Sequence, residues 1–334
     1  MTPSFDLEDW LLESKFEHPT RNFERPTLNR THGRAGGLIL LGLLWAFLGR
    51  GETFRIATYN LENYLDQPVQ GRVPKSSEAK AKIRSNIRSL EPDVIALEEM
   101  GSATALQELR ESLKAEGLDF PYWEMVTGFD TNIHVAVLSK FPFAARHPHT
   151  NDNFLVHGRR FRVSRGFPEV DIRVNTNYSF TLIAAHLKSK RAVGAADEAE
   201  LRLEEAKILR EIIDARLAAN PEANLVVLGD LNDTRDSPST KAVLGKGKSR
   251  LVDTRPEERS APGPADESRQ EERRITWTHY FAKEDTYSRI DYILLSPGMA
   301  REWMAKGTYV LATPGWGVGS DHRPLVAEFE ARDK

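Results

Sequence analysis

Polar residues close six apolar strands in this chain, and that regularity limits what it can fold into more than any other feature. FRIATYN at 54–60 ends on Asn60, DVIALEE at 93–99 ends on Glu98 and Glu99, and FTLIAAH at 180–186 ends on His186. NLVVLG at 224–229 runs into Asp230 and Asn232, RIDYILL at 289–295 encloses Asp291, and PLVAEFE at 324–330 follows directly on Asp321 and His322. One carboxylate or imidazole at a strand end is ordinarily a solvated group or a loop cap. Asp291 is different, because it interrupts an apolar run and a buried carboxylate is costly unless paired or metal-bound. The recurrence over six strands, more than any single residue, points to one shared polar pocket.

Amphipathic helices alternate with these strands. Residues 77–90 place Ala79, Ile83, Ile87 and Leu90 at helical spacing, and Pro92 stops that helix. Ser102 can cap a helix carrying Leu106, Leu109 and Leu113 that ends at Gly117. A long helix is expected over about 196–219, with Leu201, Ile208, Leu209, Ile212 and Leu217 as its apolar stripe, and HVAVLS at 134–139 is a further strand. The alternation predicts one α/β sandwich domain over 53–332. Residues 255–274, rich in Pro, Glu and Arg, read as a mobile surface loop within it.

The first 52 residues have another character. A polar extension over 1–35, expected to be disordered, leads into an apolar segment at 36–52 whose core is LILLGLLWAFL at 38–48. That run is too short to span a bilayer comfortably, but it has the length and basic flank of a signal-peptide core. The acidic residues Asp6, Glu8, Asp9, Glu13, Glu17 and Glu24 ahead of it are foreign to a signal sequence. The alternatives are a true start near Leu28, or an anchor or buried helix appended to the domain. Export or membrane anchoring is the expectation, with membrane contact through residues 38–48.

With no cysteine, disulfides, thiolate zinc sites and cysteine nucleophiles are excluded. The net charge of -3 announces no general field for nucleic acid, although a local patch and a metal can bind one. No GxSxG elbow, Walker loop or HExxH pair occurs. If the strand ends converge, they supply hard oxygen donors suited to Mg²⁺ or Mn²⁺, together with two histidines for acid–base work. Metal-assisted hydrolysis of a phosphate ester fits that inventory best.

Seven segments sharpen this reading: RIATYNLEN at 55–63, PDVIALEEM at 92–100, NIHVAVLSKFPF at 132–143, AAHLKSKR at 184–191, GDLND at 229–233, SRIDYILLS at 288–296 and GSDHRPL at 319–325. In this order they resemble the endonuclease/exonuclease/phosphatase family, with Glu98 standing where that family commonly has glutamine. The resemblance implies a DNase-I-like four-layer αββα sandwich of two packed, mostly antiparallel sheets. It implies that Glu99, with Asn60 and Asp321, holds the metal, and it leaves room for a second metal or Ca²⁺ near Asp230 and Asn232. His322, oriented by Asp291, would polarise the attacking water or bind the phosphate, with Asp230 and Asn232 positioning that water. Asp230 as general base is the competing assignment. His186 would donate to a non-bridging oxygen or act near the leaving group.

Arg165, Lys188, Lys190 and Arg191 are candidates for gripping a polyanion, and Trp277 for lining the cleft. Each has a plainer alternative as a solvated loop or a packing residue. The HLKSKR stretch looks most like DNase-I-type and bacterial extracellular nucleases. His186 is unlike the Asn-Ala-Tyr stretch of abasic-site endonucleases, and SRIDYIL differs from the WCDRIL-like motif of inositol polyphosphate 5-phosphatases. A monomeric nuclease acting on nucleic acid is therefore expected. The alternatives are a sphingomyelinase-like phospholipid hydrolase, for which no apolar surface hairpin is legible, a sugar-phosphate hydrolase, and a catalytically silent binding module.

Overall fold

The structure, a computed structural model, describes residues 52–260 and 276–332. The polar extension, the apolar run at 38–48 and most of the expected loop lie outside the described residues. In chain order the strands are Thr53–Tyr64 (β1), Val94–Met100 (β2), Tyr122–Val126 (β3), His134–Ser139 (β4), Phe143–Arg146 (β5), Asn153–Val156 (β6), Arg159–Arg162 (β7), Glu169–Arg173 (β8) and Ser179–His186 (β9). Leu225–Asp230 (β10), Val252–Asp253 (β11), Glu257–Ser260 (β12), His279–Phe281 (β13), Thr286–Ser288 (β14), Asp291–Leu295 (β15), Trp303–Ala312 (β16) and Leu325–Glu330 (β17) follow. The helices that cover them are Ser77–Leu90 (α1), Ala103–Ala115 (α2), Glu198–Ala219 (α3) and Pro238–Leu244 (α4). Ser76, Ser102, Asp197 and Ser237 each accept a backbone N–H from the first turn, which explains why these helices start where they do.

Seven strands form one sheet in the order β12-β16-β17-β1-β2-β4-β3, and six form the other in the order β11-β15-β10-β9-β8-β5. Most neighbours are antiparallel; β1 with β2, β9 with β10 and β12 with β16 are parallel. Period-two alternation sorts the side chains into layers. Phe54, Ile56, Val94, Ala96, Leu182, Ala184, Val226, Leu228, Ile293 and Leu295 face between the sheets. Their in-between neighbours face outward, toward Ile83, Ile87, Leu106 and Leu109 on one side and Leu209 and Ile213 on the other. The result is the DNase-I-like αββα sandwich. Phe54 joins the two sheets, its ring 5.3 Å from that of Phe180 and 5.5 Å from that of Phe329. Truncating such a ring to alanine costs about 3–5 kcal/mol.

One expectation needs correction. Residues 257–260 are not part of a loop; they add β12 to the edge of the larger sheet, pairing parallel with β16. The hydrophilic sequence hid this because an edge strand can be held by backbone hydrogen bonds alone. Arg259 also lays its guanidinium 4.2 Å over the Tyr309 ring, so a charged side chain covers the sheet instead of an apolar one. No helix of the described residues is long and apolar enough to cross a membrane.

Candidate active site

The inward-facing stripe of each central strand ends on a polar residue, and the pairing register brings those ends together. Asn60 lies opposite Glu98 across β1 and β2, while Asp230 lies between His186 of β9 and Asp291 of β15. Asn60, Glu98, His186, Asp230 and Asp291 each continue the alternation of the inner core, and none is more than 1% exposed. A strand that buries residues i, i+2 and i+4 on one face must carry its next such residue to the same edge of the sandwich.

Oxygen Oδ2 of Asp230 is the centre of the pocket. The Asn60 amide donates to it at 3.0 Å, His186 Nε2 stands 3.6 Å away and His322 Nε2 3.8 Å. The other oxygen, Oδ1, accepts the backbone N–H of Asn232 at 2.7 Å, and the Asn232 amide nitrogen donates to the Leu187 carbonyl. His322 donates from Nδ1 to both oxygens of Asp291, at 2.9 and 3.1 Å. That bond orients the ring and leaves Nε2 for the pocket. Ser320 clasps the loop before it, donating to the Asn60 carbonyl at 2.7 Å and accepting the His322 N–H at 3.0 Å.

Glu99 reaches the pocket by a different route. Alternation alone would send it outward, but it has φ +58° at a register shift between β2 and its neighbours. The shift turns its carboxylate back, so that Oε2 accepts from Asn63 N at 3.0 Å and Oε1 lies 3.9 Å from His186 Nε2. Asn232 is also left-handed, at φ +55°. Strained backbone at functional positions is a familiar trade of stability for placement. Gly229 permits the closest approach: it has φ +127°, and a Cβ there would stand 2.1 Å from the Ala185 carbonyl oxygen.

Electrostatics separates the two histidines. Burial works against charge on His322, but Asp291 and then Asp230 and Asp321 outweigh it and hold its pKa well above the ordinary value. Burial, followed by repulsion from Arg165, His322, Arg72 and Lys188, pushes His186 well below it. The pocket thus contains one imidazolium and one neutral imidazole. Burial and the neighbouring Asp291 raise Asp230 to about 7, against the opposing pull of His322. Beneath them Glu98 accepts from Thr58 at 2.8 Å through one oxygen, and its other oxygen is buried without a partner. Burial first, then Asp291, raises its pKa well above normal and so favours its protonated form.

The rim carries the hard oxygen donors. Glu62 is pushed up by burial and by Asp321 and Glu99, with Lys75 opposing. Such a concentration of carboxylates is what a divalent cation relieves, and Glu99, Asp321 and Asn60 fit one by donor type. Two trios bring a ligand atom from each member within 4.8 Å of one another: His279, Asp321 and His322, and Asp230, Asp291 and His322. In the second trio the Asp291–His322 hydrogen bond already occupies the facing atoms.

The candidate substrate residues are placed unequally. Lys188 turns inward, donating its ammonium to the Ser189 and Arg191 carbonyls, and so braces the loop that follows His186. Arg165 is 6% exposed and donates to the Leu187 carbonyl, and its Nε, buried without a hydrogen bond, lies 3.9 Å from Asp130 Oδ2. Lys190 and Arg191 are exposed. Trp277 packs edge-on against Trp316 and Tyr287 beneath the guanidinium of Arg323.

Sequence reading missed His279, whose ring centre lies 4.5 Å from that of His322 and whose Nε2 is 3.6 Å from Asp321. It also missed Arg72, delivered by the tight turn that closes between Val69 and Arg72. The Gln70-Gly71 pair, both at positive φ, was the available signal for that turn. His279 had none, because its β13–β14 hairpin is too short and polar to stand out.

A DNase-I-like sandwich with carboxylates, imidazoles and amides gathered at one edge defines a class of phosphoester hydrolases. The sequence profile of the Endonuclease/Exonuclease/phosphatase family matches residues 57–322, and the chain belongs to that family, whose members hydrolyse phosphoester bonds. Among solved structures the human Nocturnin catalytic domain is similar at 15% identity, with 83% of this chain and 94% of that chain covered and a TM-score of 0.58. Truncated Caenorhabditis elegans TDP2 is similar at 15% identity, with coverages of 84% and 98% and a TM-score of 0.55. Sphingomyelinase C from Streptomyces griseocarneus is similar at 19% identity, with coverages of 83% and 99% and a TM-score of 0.55. At these identities the likeness establishes the fold. A search of curated proteins by sequence found no match.

Proposed function

We propose that this protein is a divalent-metal-dependent phosphodiesterase whose preferred substrate is nucleic acid. The observation that carries the reading is the convergence of Asn60, His186 and His322 on one oxygen of Asp230, beside a rim of hard donors. Asp230, with a pKa near 7, is suited to take the proton of an attacking water. Asn232 is held by its backbone N–H on Asp230 and by its amide nitrogen on the Leu187 carbonyl, and its amide oxygen can accept from that water. The His322 imidazolium, held by Asp291, donates from Nε2 to a non-bridging phosphate oxygen and offsets its charge. Neutral His186 donates to a second phosphate oxygen. A divalent cation, with Glu99, Asp321 and Asn60 as its ligands, would supply charge for the phosphoryl and leaving oxygens.

Nucleic acid is favoured over lipid by the surface beside the pocket. The β13–β14 hairpin exposes Phe281 and Tyr287 on its strands, but its tip is Lys283, Glu284 and Asp285, which suits water better than acyl chains. The test is a panel of plasmid DNA, RNA, sphingomyelin and bis-p-nitrophenyl phosphate with and without EDTA, on wild type and the E99A and H322A variants. EDTA-sensitive nicking of DNA or RNA that both variants abolish is expected. Turnover of sphingomyelin alone replaces nucleic acid with lipid as the substrate, and binding without turnover of any substrate refutes an enzyme.

A further inference from the structure

We infer that the β6–β7 hairpin is a docking surface for the phosphate backbone of nucleic acid, outside the catalytic pocket. The inference rests on the nucleic-acid reading of the pocket and adds where the polymer lies. Cross-strand pairing sets Phe154 opposite Phe161, Leu155 opposite Arg160 and Asn153 opposite Arg162. Period two therefore gives the hairpin two unlike faces. Phe154, Val156 and Phe161 pack toward Leu201 and Leu209 of α3, which anchors the hairpin to the domain. Arg160 and Arg162 occupy the opposite face and are exposed.

Neither arginine has a carboxylate partner within ion-pair distance among the described residues, and Arg162 lies 6.0 Å from the centre of the exposed Phe129 ring. Exposed Arg88, Arg146 and Arg301 are by contrast held by Glu116, Glu124 and Glu222. Two unpaired guanidiniums beside an exposed ring, in a protein of net charge -3, form a local site for an anionic polymer. The acidic start of α3 borders it, where Glu200 pairs with His157 at 3.0 Å.

The hairpin leads to the pocket. Arg162 is three residues from Arg165, whose guanidinium donates to the carbonyl of Leu187, next to His186. Arg159 donates to the Ala195 carbonyl at 2.7 Å, tying the hairpin to the loop that exposes Lys190 and Arg191. At about 3.3 Å per residue, Arg160 and Arg162 stand at most about 17 and 10 Å from Arg165 along the chain. A duplex advances about 3.4 Å per step on each strand, so the separation of these cations from Arg165 corresponds to at most about three to five steps of the polymer. A membrane is the less favoured partner, because the tip of the hairpin is His157 and Gly158 and Leu155 is the one large apolar side chain that the hairpin exposes.

The test separates docking from turnover. Binding of a labelled 20-nucleotide single strand and a 20-base-pair duplex is measured by anisotropy across a salt series, using E99A as the parent to prevent cleavage. In the R160Q/R162Q background, affinity is expected to fall about tenfold at low salt. The slope of log K against log salt is expected to shrink by about 1.8 for duplex and about 1.4 for single strand, at 0.9 and 0.7 per lost contact. Hydrolysis of bis-p-nitrophenyl phosphate by R160Q/R162Q with Glu99 intact should stay within about twofold of wild type, because the small ester does not reach the hairpin. Unchanged slopes overturn the docking surface, as does a loss confined to binding of anionic phospholipid vesicles. An equal loss on the small ester also overturns it, by making the effect structural. Binding that depends on the hairpin, with no cleavage of nucleic acid by wild type, upholds the surface and instead refutes the nuclease reading.

Discussion

Replacing Asp291 by asparagine tests the electrostatic core of the site while keeping its shape. Asp291 and His322 are 1% and 5% exposed, and their bond is 2.9 Å long. Asparagine can still accept the Nδ1 proton, but it carries no charge to hold the imidazolium. Breaking one side of a buried ion pair is worth about 3–5 kcal/mol. If that stabilisation is lost from the transition state, kcat falls by about 10² to 10⁴ at 1.36 kcal/mol per tenfold. A second effect has its own sign. Asp291 raises the pKa of Asp230 more than His322 lowers it, so losing the carboxylate and the imidazolium together leaves Asp230 more acidic. The acid limb of the rate profile should therefore move to lower pH even as the rate drops. The assay is kcat for bis-p-nitrophenyl phosphate at saturating Mn²⁺ between about pH 5 and 9, with Tm recorded alongside. A variant that keeps more than a third of the wild-type rate, or one whose acid limb moves upward, would refute the reasoning.

Further expectations concern the layer beneath the pocket. Glu98 keeps its proton in the folded chain, while the unfolded chain releases it near pH 4.3. The folded state then binds more protons above that pH, so this residue costs stability as pH rises through the window up to its raised folded value. E98Q should match wild type in Tm near pH 4 and exceed it near pH 8, and a pH-independent difference would contradict the assignment. For G229A, the 2.1 Å approach to the Ala185 carbonyl together with the positive φ should cost about 3 kcal/mol or more. That corresponds to a fall in Tm of about 6–12 °C, and a loss under about 2 °C in a thermal melt would show that the backbone yields.

The sequence alone determined the layers, because burial on one or two faces leaves a periodic trace that needs no partner to be read. The apolar runs, Ser102 at a helix start, and the polar ends at Asn60, His186 and Asp230 are local facts of composition and spacing. They were enough to identify which strands carry the chemistry. Tertiary structure decided the rest, because electrostatics and register depend on distance in space. Only the fold shifted His322 and His186 in opposite directions, turned Glu99 inward at a bulge and Lys188 into a brace. It alone brought His279 and Arg72 to the pocket from segments with no apolar pattern, and made a strand of residues 257–260 by lending them a partner's backbone.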